Sequence, residues 1–236
     1  MLVPPSAAGQ VESKVICRES LSQAHRNELS EKLREITGWS DLRFDQKALH
    51  QGSEDPVDGS KSARELIAKI VSGANIVVLE DTSDRSDIVF SRVVPGRWRN
   101  DTGDGPPSFL VQIDFDDFSH VIGDAQTLKA FNVGWVVLHE FDHIVNESQD
   151  PTSLREAGEC EDHVNRMRRE RNLPERTDYY STFLPLGEDS AFITKWVRLA
   201  FDQEHGRTGR KKRYWLIWDA KLVGGLNDQK QIASLR

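Results

Sequence analysis

Residues 126–146 constrain the fold more than any other stretch of the chain, because an apolar run leads directly into a pair of histidines. The segment FNVGWVVL, residues 131–138, is apolar nearly all round a helix, and such a helix is buried. HEFDH follows at residues 139–143. The pattern predicts one long buried helix over residues 126–146. Burying two histidines, a glutamate and an aspartate without partners is costly, so we expect them to share a site.

The spacing within HEFDH is typical of a metal-binding helix. Each helical residue advances about 100°, so His139 and His143 lie on one face, within reach of one ion. Glu140 lies about 60° round the helix from His143, which suits a general base rather than a ligand. The H-E-x-x-H pattern therefore predicts one zinc ion that acidifies a water molecule, with Glu140 accepting the proton. Asp142 is expected either to orient a ligand or to face solvent.

The third zinc ligand is not part of this motif. In the longer pattern H-E-x-x-H-x-x-G-x-x-H, a glycine and a histidine follow, but the chain has Asn146 and Gln149 at those positions. Asparagine can adopt the glycine conformation, whereas glutamine is a poor zinc ligand. We therefore expect the third ligand to come from a second helix, predicted over residues 153–171.

On that second helix, Glu159 is the predicted ligand. It lies centrally in a polar stripe, and His163 follows one turn later on the same face, where it could hydrogen-bond a ligand. Glu161 points about 200° away from Glu159 and is excluded on that ground. Three alternatives remain open as the ligand: Glu156, Asp162 and His163.

The helix GECEDHVNRMRRERNLP and the following ERTDYY, together with HEFDH, resemble the gluzincin class of zinc metallopeptidases. They are similar to small single-domain enzymes among bacterial effectors and toxins, in which Asn-x-x-Arg and Arg-x-x-Tyr elements follow the motif. Here these residues are Asn165, Arg168, Arg176 and Tyr179, and the chain departs from the pattern at Val164, where an acid is expected. The resemblance covers residues 60–185. It implies a zincin-like fold, and a protein or peptide substrate held in extended form by the strands upstream of HEFDH.

Two tyrosines follow the second helix and could act in catalysis. Tyr179 is the predicted donor of a hydrogen bond to the oxyanion, and Tyr180 is the alternative donor. Arg176 is expected to bind a substrate carboxylate or to pair with an acid of the site. A packing role is the competing interpretation of both tyrosines.

The pattern of the remaining chain predicts a single α+β domain. Helices are expected over residues 20–36, 62–71, 126–146, 153–171 and 191–201, and strands over residues 75–79, 88–94, 109–115 and 213–218. Residues 1–16, rich in Pro, Ser, Ala and Gly, are interpreted as a mobile leader, and residues 17–236 as the domain. The resemblance implies that a small mixed sheet packs on the two helices of the metal site.

Charge and composition exclude several classes of function. A net charge of -7 argues against nucleic acid as a partner, because phosphate binding needs a concentrated cationic face. No apolar run is long enough to cross a membrane, and no basic, apolar signal segment opens the sequence. We therefore expect a cytoplasmic protein, or one exported without a cleavable signal. The pattern leaves the oligomeric state open.

A second acidic cluster follows the strand predicted over residues 109–115. It comprises Asp114, Asp116, Asp117 and His120. A second metal site is one interpretation, but a solvated turn is favoured.

The leading hypothesis is thus a zinc peptidase, with two alternatives. One is a metal-stabilised interaction or scaffold protein that does not turn over, which the intact Glu140 argues against. The other is a metal-dependent hydrolase of a non-peptide bond, since the same water activation serves esters and amides. An effector that cuts a single target protein would be a special case of the peptidase.

Overall fold

The computed structural model describes residues 13–97, 105–153, 156–184, 195–205 and 209–224. The helices are α1 Gln23–Thr37, α2 Lys61–Ser72, α3 Ala125–Ala130, α4 Val133–Asn146 and α5 Glu159–Glu170, with a 3-10 helix at Asp116–His120. The strands are β1 Val15–Cys17, β2 Arg43–Phe44, β3 Leu49–His50, β4 Ile76–Asp81, β5 Ser91–Arg97, β6 Pro107–Ile113, β7 Val121–Gly123, β8 Glu175–Arg176, β9 Thr182–Phe183, β10 Trp196–His205 and β11 Arg210–Asp219.

The strands form two main sheets, and the predicted α+β class is confirmed. The first sheet has the order β1-β4-β6-β5, in which β1, β4 and β6 are parallel and β5 is an antiparallel edge strand. The second is antiparallel with the order β7-β11-β10-β8, and β9 also pairs with β10. β2 and β3 form a separate hairpin.

Helix α4 lies between two hydrophobic clusters, which explains why its sequence is apolar all round. Trp135, Val137 and Phe141 join a cluster built mainly from α1, α2 and the first sheet. Val136 joins a second cluster with buried residues of β10 and β11, including Phe201. Because both faces of α4 are covered, the polar residues of HEFDH enter the interior of the domain.

The helix predicted over residues 126–146 is in fact two helices, α3 and α4, separated at Phe131 and Asn132. The Asn132 side chain accepts a hydrogen bond of 3.0 Å from the Gly134 N–H and so caps α4. Gly134 lies close to α1, since a Cβ at this position would meet Lys32 Cβ at 2.8 Å. The break therefore lets α4 begin in a new direction, pressed against α1.

The helix predicted over residues 191–201 is wrong in the part that the structure describes. Residues 191–194 lie outside the described chain, and Trp196–His205 is strand β10. Val197, Leu199 and Phe201 are buried at alternate positions, the period of a strand. At the other end, residues 15 and 16 of the predicted leader belong to β1, and residues 1–12 lie outside the described chain.

Within the described ranges, no helix is both long enough and apolar enough to cross a membrane.

Candidate metal centre

His139 and His143 project from the C-terminal half of α4, and their Nε2 atoms lie 3.1 Å apart. Asp150, in the loop after the helix, meets both rings. Its Oδ1 lies 3.2 Å from His139 Nε2 and 3.4 Å from His143 Nε2. Ligand atoms about 2.0–2.1 Å from a tetrahedral zinc ion lie roughly 3.3–3.4 Å from one another. The three atoms are therefore spaced as zinc ligands would be.

The burial and charge of these groups also favour a metal site. Asp150 Oδ1 is buried and has no hydrogen-bond partner among the described residues, although two ring nitrogens lie within ion-pair distance. Burial opposes a charge on His143, but the Asp150 carboxylate outweighs it and raises the pKa of His143 to about 11. A cation that enters the triangle must displace such protons, so its binding strengthens as the pH rises.

The second nitrogen of each ring faces an oxygen atom. His143 Nδ1 donates a hydrogen bond of 2.7 Å to the Ser148 carbonyl oxygen, and such a partner holds an imidazole in the tautomer and direction that a metal needs. His139 Nδ1 lies 3.2 Å from Glu161 Oε2 on α5, within ion-pair distance, but it makes no hydrogen bond among the described residues.

Glu161 is buried, with only 1% of its surface exposed, and it lies between two arginines. Arg168 Nη1 donates to Glu161 Oε1, and Arg176 Nη1 lies 3.2 Å from Oε2. Burial raises the pKa of this carboxyl, but Arg168 and Arg176 outweigh burial and hold the pKa well below its ordinary value. The side chain thus presents a stable negative charge to His139.

Cys160 also lies beside the two histidines. Its Sγ is within 4.8 Å of a ligand nitrogen of both His139 and His143, and the residue is fully buried. The thiol donates a hydrogen bond of 3.2 Å to the His139 carbonyl oxygen. His139 and His143 therefore belong to two groups of potential metal donors, one completed by Asp150 and the other by Cys160.

Glu140 is buried on the neighbouring face of α4 and contacts β5. Its Oε1 accepts a hydrogen bond of 2.5 Å from the Ser91 hydroxyl. Burial raises the pKa of Glu140 above its ordinary value, although His139 and Ser91 favour the charged form. Glu140 therefore binds a proton more readily than an exposed carboxylate does, and the Ser91 hydroxyl fixes the position of one of its oxygens.

The loop that carries Asp150 is held from the opposite side by two tyrosines. The Tyr179 hydroxyl donates a hydrogen bond of 2.7 Å to Asp150 Oδ2, and the Tyr180 hydroxyl donates one of 2.9 Å to the Pro151 carbonyl oxygen. Gly158 packs on the same loop with a φ of 85°, and a Cβ there would meet Pro151 Cδ at 2.4 Å. Only glycine fits this close approach without strain.

Asp142 has neither of its two predicted roles, because it is buried and its hydrogen-bond partners are side chains of α4 and α5 rather than a histidine of the triangle. It is fully buried and accepts hydrogen bonds of 2.9 Å from His163 Nδ1 and 2.5 Å from Asn146 Nδ2. His163 thus ties α5 to the end of α4. The predicted partner of His163 is a metal ligand, whereas the structure gives it Asp142.

The structure does not bring Glu159, the predicted third ligand, to the histidines. Glu159 is the first residue of α5 and is exposed, as are Glu156 and Asp162, and the contacts of His139 and His143 among the described residues include none of the three. The acids that do reach the histidines are Asp150 and Glu161. Asp150 follows His143 by seven positions in a loop, where helical spacing predicts no ligand. Glu161 lies outside the polar stripe predicted around Glu159 because it belongs to the buried face of α5.

Two cavities flank the triangle. The larger, of about 360 Å³, opens beside Glu140, and the smaller, of about 240 Å³, opens beside His143 and Asp150. Strand β5 links them, since Ser91 lines the larger cavity and Val93 the smaller. Among the described residues, β5 has a neighbouring strand on one side only, so it is an edge strand of the first sheet.

Two carboxylates of the second acidic cluster accept hydrogen bonds from backbone N–H groups. Asp114 Oδ1 accepts hydrogen bonds from the N–H groups of Asp116 and Asp117, and Asp117 Oδ2 accepts one of 2.7 Å from the Phe90 N–H. Burial raises the pKa of Asp117 to about 7. Asp114 and Asp117 are buried, so the predicted solvated turn holds only for Asp116 and His120, which are exposed.

No family model matches the chain, and neither curated proteins nor solved structures gave a match. The resemblance to gluzincins therefore stays a prediction, carried by the motif and its surroundings.

Proposed function

We propose that the protein is a zinc-dependent peptidase whose metal is held by His139, His143 and Asp150. The observation that carries this proposal is the triangle of two Nε2 atoms and one carboxylate oxygen, with sides of 3.1, 3.2 and 3.4 Å. Three protein ligands leave a position for water, which is the arrangement of catalytic rather than structural zinc sites. Asp150 is the third ligand in this proposal, whereas the sequence predicts Glu159.

The residues around the triangle suit hydrolysis. When bound, zinc supplies the Lewis acidity that makes a water molecule acidic near neutral pH. Glu140 accepts the proton of that water and delivers it to the leaving amine, while Ser91 holds the carboxylate oxygen that does not take the proton. The Tyr179 hydroxyl, buried beside the site, is the candidate donor to the oxyanion. It must exchange its bond with Asp150 for that role.

Strand β5 supports an extended peptide as the substrate. An incoming strand can pair with the free edge of β5, and this mode of recognition gives affinity through the main chain. Since β5 runs from the cavity at Glu140 to the cavity at Asp150, side chains on both sides of the cleaved bond would find space. We therefore favour cleavage within a chain over removal of single terminal residues.

The larger cavity suggests which side chain is preferred. Aromatic and aliphatic residues form about half of its lining and charged or polar residues the rest, and the lining residue Trp218 has no hydrogen-bond partner for Nε1 among the described residues. A bulky apolar side chain that carries an acceptor, such as tyrosine or methionine, would fill the space and pair with this donor.

Two other functions remain as alternatives. A non-peptide ester or amide could use the same water activation, although a free strand edge has no evident role for such a substrate. A metal-stabilised scaffold would need four protein donors and no base, and Cys160 is the residue that favours it.

The test combines metal content with cleavage. The purified protein is loaded with zinc, dialysed and assayed for bound metal, then incubated with a mixture of denatured proteins, and the new termini are identified by mass spectrometry. We expect one zinc ion per chain and cleavage that is lost in Glu140→Gln while the metal is retained. Stoichiometric zinc with no Glu140-dependent cleavage would favour the scaffold, and hydrolysis of small esters alone would favour the second alternative.

A further inference from the structure

The site holds one more metal donor than a catalytic centre requires. The Sγ of Cys160 lies within 4.8 Å of a ligand nitrogen of both His139 and His143, in addition to the carboxylate of Asp150. Cys160 is the second residue of α5, and its neighbour Glu161 contacts His139 from the same helix. The thiol is therefore held at the metal centre by the same helix that places Glu161 beside His139.

The distance left to close is small. A sulfur and a nitrogen bound to one tetrahedral zinc ion lie about 3.6 Å apart. Since the Sγ is already within 4.8 Å of one ligand nitrogen of each ring, these two contacts must shorten by no more than about 1.2 Å, which is within the reach of a χ1 change. The group within this distance does not include Asp150, so the same movement must also bring the Sγ towards the carboxylate. The sulfur is fully buried, and its hydrogen bond to the His139 carbonyl oxygen is a weak one that ligation can replace.

We propose that Cys160 ligates the metal as a fourth donor in the resting protein, and that its departure opens the position at which water is activated. This proposal rests on the function proposed above. Ligation forms the metal–sulfur bond, breaks the S–H bond and releases one proton to solvent, with no change of oxidation state. His139, His143, Asp150 and Cys160 then make a closed set, and loss of the sulfur restores the open set of three.

The physical reason for such a state is the softness of thiolate. Sulfur binds zinc more strongly than water does, and a thiol that coordinates a divalent cation is deprotonated outright. A closed site protects the ion against loss and suppresses hydrolysis until the Sγ withdraws from the metal. The motion needed is small, because only this side chain has to move.

Cobalt reports this bond directly. The wild-type protein is loaded with Co²⁺ in place of zinc, and the absorption spectrum is recorded in the visible range, where cobalt itself absorbs, and in the near ultraviolet, where thiolate-to-cobalt charge transfer absorbs. The chain has two cysteines, which provides a matched control. Cys160→Ser keeps a hydroxyl donor for the His139 carbonyl but removes the sulfur, whereas Cys17→Ser removes the cysteine of β1.

We expect a charge-transfer band in wild type and in Cys17→Ser, and its complete loss in Cys160→Ser, with the visible bands of bound cobalt retained. We also expect Cys160→Ser to cleave peptides several-fold faster than wild type. Bound cobalt with no charge-transfer band in wild type, or a band lost with Cys17, would overturn the proposal, yet an active enzyme would leave the proposed function intact. Failure to bind cobalt at all would overturn both.

Discussion

The hydroxyl of Tyr179 donates a hydrogen bond of 2.7 Å to Asp150 Oδ2, the carboxylate oxygen that points away from the histidines. The same ring stacks on His139 with a centroid separation of 5.9 Å. Burial, followed by the charge of Asp150, raises the pKa of Tyr179 well above its ordinary value, so the hydroxyl remains a donor. Tyr179 therefore contacts two of the three proposed ligands.

Tyr179→Phe separates the two roles of this hydroxyl. If it orients Asp150, we expect metal affinity to fall about 10- to 100-fold, as for other groups that hold a ligand. If it donates to the oxyanion, kcat falls by a similar or larger factor while the zinc affinity stays within twofold of wild type. Metal affinity by competition with a chelator, and kcat with zinc in excess, distinguish these results. If both the zinc affinity and the kcat of Tyr179→Phe equal those of wild type, the hydroxyl has neither role.

The identity of the third ligand is tested by a matched pair of substitutions. We expect Asp150→Asn to lower zinc affinity at least about 100-fold, because it replaces a charged ligand, whereas Glu159→Gln leaves affinity and activity unchanged. Both variants remove one negative charge, so a general electrostatic effect would lower affinity in both. Equilibrium dialysis with a metal-buffered solution measures the difference. Loss of zinc in Glu159→Gln alone would restore Glu159 as the ligand.

The buried charge of Glu161 is expected to matter for stability as well as for the site. Glu161→Gln leaves the fully buried Arg168 without its anionic partner, and breaking a buried pair costs about 3–5 kcal/mol. Urea unfolding of the metal-free protein measures this loss independently of zinc. The surface pair of Arg169 with Glu175 provides the control, since Glu175→Gln should cost less than about 1 kcal/mol. Similar losses in the two variants would contradict the prediction.

Asp117 gives a pH dependence that does not involve the metal. Its pKa is about 7 in the folded protein, above the value of about 3.9 in an unfolded chain, so the folded state binds the proton more tightly. The resulting stabilisation is complete below about pH 4 and is lost as the pH rises through 7.

Asp117→Asn should remove this dependence, because the amide oxygen can still accept the Phe90 N–H without carrying a charge. We expect the free energy of unfolding of the variant to exceed that of wild type at pH 8 by at most about 4 kcal/mol, with the difference shrinking towards pH 4. Urea unfolding at several pH values measures it. A constant difference across this range would show that the carboxyl titrates normally.

The sequence predicts the elements whose hydrophobic period is clear. α1 and α2 lie within a few residues of their predicted bounds, because one apolar stripe is typical of a helix. α4 ends at Asn146 as predicted but begins only at Val133, because α3 is a separate helix. The sequence does not predict β10, because the polar and apolar residues in its first half also fit a helical period over a short window. Its pairing with β11 over ten residues is a long-range contact that no local pattern contains.

The sequence predicts only the part of the candidate site that lies on one helix. His139, Glu140 and His143 follow from helical geometry, since their relative positions are fixed by one element. Asp150 approaches them through a loop that Tyr179, Tyr180 and Gly158 hold, and none of these contacts is encoded in the spacing of the motif. Glu161 shows the same limit, because the face that α5 buries depends on the arginines that pair with it.

All three atoms of the coordinating triangle come from residues 139–150, one continuous piece of chain. Closing so short a loop costs little entropy, and contacts of low sequence separation form early in folding. A cation could therefore bind this segment while both sheets are still assembling, and act as a nucleus for the domain. The rate of refolding, rather than only the final stability, would then rise with the concentration of free zinc.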